Sequence, residues 1–159
     1  MEEKLKISDG GLDVEKYCQE NCIPSNKASE NDFLVVPSKY SDGEYYYSQE
    51  AIDFIKFCRQ ENSNCKCDIL SEGDIKVRSL HSFDIWMPVI WIARKIILPM
   101  VISILANFIY DKMKGREKEN VNVDLTIIVN NGKKTKSLHY KGDAKAFKES
   151  FEKIDITKL

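Results

Sequence analysis

Residues 82–115, SFDIWMPVIWIARKIILPMVISILANFIYDKMKG, restrict this chain more than any other stretch. So much apolar surface must be sheltered, because fully burying one Leu, Ile, Val or Met side chain contributes about 1.5–3 kcal/mol. Three shelters are open: the chain's own core, a bilayer, or another protein. Asp84 is placed to cap a helix, with Pro88 near the limit of what a first turn tolerates. Pro99 follows eleven residues later, so the spacing predicts two helical pieces or one kinked helix rather than a straight one. Gly115, preceded by Lys112 and Lys114, is the natural terminator.

A membrane span meets two obstacles. Arg94 and Lys95 fall in the middle of the stretch, and each would cost about 2.5–3.5 kcal/mol at the bilayer centre. The uninterrupted apolar run, residues 96–106, covers about 16 Å as helix, half the hydrocarbon thickness. The expectation is therefore a buried central helix, with the Arg94-Lys95 pair emerging at one edge. One alternative is an interfacial membrane element, with Trp86, Trp91 and Tyr110 at headgroup depth and Lys112, Lys114, Arg116 and Lys118 meeting anionic lipid. The other is a face that docks on protein. Under either alternative the contact residues are Trp86, Trp91, Arg94, Lys95, Phe108 and Tyr110.

The flanks carry shorter signals. Residues 1–30 are polar, with a short helix expected over 13–20 ahead of Pro24. Phe33-Leu34-Val35-Val36 reads as a buried strand stopped by Pro37, and Ser41-Asp42-Gly43 as a turn. Glu44-Tyr45-Tyr46-Tyr47 is either extended or leads straight into a helix. Ser48 is a candidate N-cap for a helix over 48–61, on which Ala51, Ile52, Phe54, Ile55 and Cys58 recur three and four apart. Cys65, Cys67 and Ile69 alternate on one side of a strand over 65–70. A turn at 72–74 leads to another strand over 75–80. Beyond the apolar stretch, Val121, Val123, Leu125, Ile127 and Val129 alternate with mostly polar residues, a half-buried strand. Asn130-Asn131-Gly132 makes a hairpin turn, a second strand runs over 134–140, and Asp143 caps a helix with Ala144, Phe147, Phe151 and Ile154 on one stripe.

These readings define an α+β fold: a small β-α-β-β layer, a central apolar kinked helix, and a C-terminal β-hairpin plus helix. The chain divides into a polar segment 1–30, a β-α-β-β unit 31–81, an apolar helical spine 82–115 and a β-β-α unit 116–159, within one compact domain or two small ones.

Chemistry is harder to find. Lys and Arg total 24 against 25 Asp and Glu, a net charge of −1, which argues against a general nucleic-acid binder. The charge is uneven, −6 over residues 1–81 and +5 over 82–159. Lys133, Lys134, Lys136, Lys141, Lys145 and Lys148 could share one side of the β-β-α unit, with Tyr40 and Tyr45–Tyr47 to stack on bases, a nucleic-acid surface; lysine without arginine favours the plainer reading, a solvated lysine face and an aromatic edge strand. The five cysteines are odd in number and MEEKLKISDGG has no apolar signal core, so a reducing compartment, the cytoplasm, is expected. Their spacings, Cys18 to Cys22 and Cys65 to Cys67, do not match a zinc knuckle, and neither metal nor cofactor is expected. The candidate polar cluster is Arg78, His81, Ser82 and Asp84, where a strand meets a helix and an anion could bind. Its plainer reading is a pair of caps and a satisfied turn histidine. No phosphate-cradling loop is present.

One resemblance bears on function. Pro99-Met100-Val101-Ile102-Ser103-Ile104-Leu105-Ala106-Asn107-Phe108-Ile109-Tyr110, then Val121–Val129, Asn131-Gly132, Leu138 and residues 143–154, occur in the order of an apolar helix, charged linker, long strand, turn, strand and capped helix. This part resembles the effector-associated constant-component modules found beside bacterial conflict systems. It lacks the glycine-rich helix and arginine-rich linker of that type, and residues 31–81 have no counterpart. The resemblance implies a non-catalytic role coupling an effector to its activating partner. A non-catalytic adaptor, accessory to a bacterial defence system, is therefore the expected function. It implies a protein partner, with self-association left open and nucleic acid disfavoured. A membrane-associating effector using residues 84–113 is the alternative.

Overall fold

A computed structural model describes residues 4–24, 26–61, 66–71, 75–78, 85–130 and 134–153. Its centre is the hairpin of β8 (Asn122–Asn130) and β9 (Thr135–Asp143), paired antiparallel from Asn122 opposite Asp143 to Asn130 opposite Thr135. The strict alternation of β8 puts Val123, Leu125, Ile127 and Val129 on one face, fully or almost fully buried. β1 (Lys4–Asp9) pairs antiparallel with the free side of β9. On the other side, β7 (Ile85–Ile92) runs parallel to β8, β2 (Phe33–Val36) antiparallel to β7, and β5 (Cys67–Ile69) parallel to β2. The six-stranded order is β1-β9-β8-β7-β2-β5. A smaller sheet holds β3 (Ser38–Lys39), β4 (Tyr45–Ser48) and β6 (Val77–Arg78), with β4 in the middle.

The helices are α1 (Val14–Glu20), α2 (Asn26–Glu30), α3 (Ala51–Glu61), α4 (Leu98–Met113) and α5 (Phe147–Glu152). The α+β class, the central apolar helix and the C-terminal hairpin with its helix are all present. The extent of the apolar spine is corrected. Its first half, expected to be helical with Pro88 in the opening turn, is the strand β7. The physical reason is burial on both sides: β7 lies inside the sheet with protein over each face, so its sequence is continuously apolar instead of alternating. A short apolar run of that kind has no period that separates strand from helix. Pro88 falls where the β7–β8 register shifts between Trp86 and Val89, so its missing N–H interrupts the ladder at a bulge. Pro99 occupies the first turn of α4, after a 3-10 turn at Lys95–Ile97. Pro88 thus sits within a strand at its bulge and Pro99 in the opening turn of a helix, and neither kinks a helix.

Two cores result. The main one lies between the sheet and α3, α4 and α5, where Phe54, Phe108 and Phe57 meet edge to face and Tyr140 packs on Phe147 and Phe151. Lys112 ties α4 to α3, with Nζ 2.9 Å from Glu50 and 3.1 Å from Asp53. Burial opposes the Lys112 charge, yet the hydrogen bonds it donates to those carboxylates outweigh that cost and hold its pKa above the lysine value. The second core sits on the opposite face, where α1 lays Val14 and Cys18 over Leu34, Val36, Trp91 and Ile128.

Smaller corrections follow. Ser48 does not cap α3; it ends β4, buried, and α3 starts three residues later at Ala51. The tyrosine run is extended, as β4, with the Tyr47 hydroxyl donating to the Leu70 carbonyl. β1, absent from the sequence reading, is a strand. The 31–81 segment runs β2-β3-β4-α3-β5-β6, so the expected β-α-β-β order gains two strands, β3 and β4, ahead of the helix, and β6 belongs with them to the smaller sheet. Cys65, the 72–74 turn, the Asn131-Gly132 turn and Ile154 lie outside the described residues.

Candidate interaction surfaces

Two surfaces carry side chains whose exposure needs an explanation. The first follows from the register of α4. Leu98, Val101, Ile102, Leu105, Phe108 and Ile109 turn inward to the sheet, so the helix's other side faces out. That outward stripe holds Pro99, Ser103, Asn107 and Tyr110, continued by Ile96 in the preceding turn; Ile96 is 78% and Tyr110 71% exposed. No charge occurs between Ile96 and Tyr110. The stripe runs into a groove of about 460 Å3 between α4 and α5, walled by Ala106, Ile109, Met113, Ala144 and Phe147. Glu117, Lys145 and Lys148 supply its charged lining, Lys145 also donating to the Glu117 carbonyl at 2.6 Å.

The second surface lies where the smaller sheet meets the open face of the larger one. Arg78 on β6 stands over the rings of Tyr40 and Tyr46, at 4.6 and 5.6 Å. Tyr40 meets Tyr46 and Trp86 edge to face, with centroids 5.2 and 6.0 Å apart. Asp42 fixes the cluster by accepting from the Tyr46 hydroxyl at 2.7 Å and from the Glu44 amide at 2.9 Å. The Glu44 N–H and the Tyr46 hydroxyl lower the Asp42 pKa, while the hydrogen bond to Asp42 raises that of Tyr46. Next along the sheet, Asp124 Oδ1 lies 2.8 Å from His139 Nε2, a hydrogen bond in which the carboxylate accepts.

A wider cleft, about 790 Å3, opens at the carboxyl ends of β7 and β8 beside Gly10 and Gly11. Its rim mixes Asp9, Asp13 and Glu15 with Lys134. Asp13 is already engaged as the cap of α1, accepting from the Lys16 amide at 3.2 Å. Among the described residues no group of three His, Cys, Asp or Glu side chains converges.

The structure separates the sequence-derived candidates. His81, Ser82 and Asp84 lie outside the described residues, leaving Arg78 in the aromatic cluster. Trp86 joins that cluster, so residues placed in two different candidate sets meet around Tyr40. Trp91 is buried under α1 and Phe108 between Phe54 and Phe57, and both are core residues rather than contact residues. Arg94 is exposed, 3.7 Å from Asp32, and Lys95 opens the turn before α4. Tyr110 alone of the expected docking aromatics faces solvent fully. The groove with α5 was missed because it needs α4 and α5 side by side, which no local pattern states. Comparison of the chain with known protein families, curated proteins and solved structures returned no match.

Proposed function

We propose that this protein is a non-catalytic adaptor that takes a partner on the outward side of α4 and in the α4–α5 groove. The observation that carries the reading is the uncharged stripe from Ile96 to Tyr110 running into an apolar groove. A helix on a domain surface ordinarily sets charged side chains on its outer face. The partner chemistry that fits is an amphipathic helix whose apolar side fills the groove and whose acidic flank meets Lys145 and Lys148. The likeness of residues 99–154 to effector-associated modules adds the role: coupling an effector to its activator within a bacterial defence system. The alternative occupant is lipid, since Lys95–Met113 is long and apolar enough to cross a membrane, with half of it buried against protein.

The test uses wild-type and Tyr110→Glu chains, matched by circular dichroism, as baits in native cells. The expected result is one stoichiometric partner held by wild type and lost from Tyr110→Glu. Rebinding of that purified partner should weaken about tenfold when Lys145 and Lys148 are both changed to Glu. A partner indifferent to these changes overturns the reading, as does a chain that captures nothing and floats with anionic liposomes.

A further inference from the structure

The sheet face opposite the groove is only half covered. α1 shields its Leu34–Trp91–Ile128 end and Tyr40 packs against Trp86 of β7, while the Asp124–Thr126 stretch of β8 and the same face of β9 and β1 remain half-buried to exposed. Register fixes which side chains share that face. Trp86 is opposite Asp124, Asp124 opposite Lys141, and His139 opposite both Thr126 and Lys6. Paired residues on neighbouring strands project to the same side. The face therefore begins at the Tyr46–Arg78–Tyr40–Trp86 cluster and continues toward the exposed Lys141 and Lys6.

The cations of the face outnumber its carboxylates. Among the described residues Arg78, Lys141 and Lys6 make no ion pair, while Asp42 and Asp124 keep their negative charge but are fixed in place, Asp42 by Tyr46 and the Glu44 amide and Asp124 by His139. Aromatic rings and a guanidinium plane followed by free ammonium groups are complementary to one kind of polymer: bases to stack, phosphates to pair. The near-neutral charge of the whole chain does not oppose this, because attraction to phosphate falls off within about 8–10 Å and is decided locally.

We propose that this open sheet face binds a short single-stranded nucleic acid. One base stacks on the Arg78–Tyr40 plane, a second lies against Trp86, and the connecting phosphates run over Lys141 and Lys6. RNA and DNA share the chemistry involved. The proposal is independent of the α4–α5 groove, which lies across the sheet.

The experiment is fluorescence anisotropy of labelled 12-nucleotide oligouridine and oligothymidine at roughly 50 mM salt, with Trp fluorescence read in parallel. Saturable binding in the micromolar range is expected, with indole quenching and weakening as salt rises. Arg78→Ala should reduce affinity about tenfold by removing a stacking plane. Lys141→Ala should lower the salt slope by about one. Both side chains are exposed, and unchanged melting temperatures will separate lost binding from lost folding. A Trp86→Phe chain keeps a ring and should bind within about threefold of wild type while losing the quench. Absence of saturable binding to either oligomer overturns the proposal. So does affinity unaltered by Arg78→Ala together with Lys141→Ala, or equal affinity for inorganic polyphosphate of matching length, which has charge but no bases.

Discussion

Gly11 leaves β1 toward α1 at φ +143°, and a Cβ there would lie 2.9 Å from Ile128 Cγ2 and 3.0 Å from Ser137 Oγ. Gly10, at φ +96°, has nothing within 4 Å of the same position. Both conformations disfavour an L side chain, but only Gly11 adds a collision with the sheet. Gly11→Ala should therefore cost about 2–3 kcal/mol, against about 1 kcal/mol for Gly10→Ala. Thermal melts decide it, and equal losses would mean that chain and sheet do not approach so closely. Ser48 supports a contrary expectation. As a cap its loss would cost about 1 kcal/mol, but its hydroxyl is buried without a protein hydrogen bond. Ser48→Ala should be neutral or slightly stabilising, within about 1 kcal/mol, in urea unfolding. Asp42 adds a pH signature. Its folded pKa is depressed, so its contribution is present above the ordinary carboxylate value near 3.9 and is lost as pH falls through the lower folded value. The melting difference between wild type and Asp42→Asn should stay level from about pH 7 to 5 and close only as pH falls below the ordinary carboxylate value.

β7 and α4 show what a linear reading can and cannot deliver. The β8–β9 hairpin is legible because one of its faces is buried and the other wet, so period two is written into Val121 to Val129. α3 is legible for the matching reason at a period near 3.6. β7 has protein on both faces, and its Ile-Trp-Met-Pro-Val-Ile-Trp-Ile string carries no period at all. Only its neighbours in the sheet reveal it. The same limit hid the Tyr40–Arg78–Trp86 cluster, whose members are far apart in sequence and meet through β6 and the bulge in β7. Arg78 and Trp86 were each visible as candidates, but not as partners. α4 is the element on which the fold leans most, and Phe108 is its keystone, in contact with both Phe54 and Phe57. Phe108→Ala should cost about 3–5 kcal/mol in chemical denaturation. Tyr110→Ala, two residues on and exposed, should stay within about 0.5 kcal/mol. A large loss at Tyr110 would place it in the core and remove the groove from consideration.

Closure of the sheet at β9 depends on β1. β1 covers the outer edge of β9 over six residue pairs, from Lys4 opposite Lys141 to Asp9 opposite Lys136, and Gly10 extends the contact by donating to the Thr135 carbonyl at 2.7 Å. Ser137 completes the clasp through its hydroxyl, which donates to the Gly10 carbonyl at 2.8 Å. Without β1, a nine-residue strand would present its unpaired N–H and C=O groups to solvent. β9 has Lys136 and Lys141 to discourage a wrong neighbour, but Leu138 and Tyr140 are buried between them and form an apolar template. A chain starting at residue 12 should keep the α4 core, because none of α3, α4 and α5 lies in the deleted segment. It should nevertheless self-associate through β9. Light scattering after size-exclusion chromatography should show oligomers that grow with concentration, while the full chain at equal concentration does not share them. Hydrogen exchange should then report faster exchange in β9 of any remaining monomer, with α4 protected. A truncated chain that stayed monomeric with β9 still protected would show that the edge is guarded by something other than β1, and the pairing order at that side of the sheet would have to be redrawn.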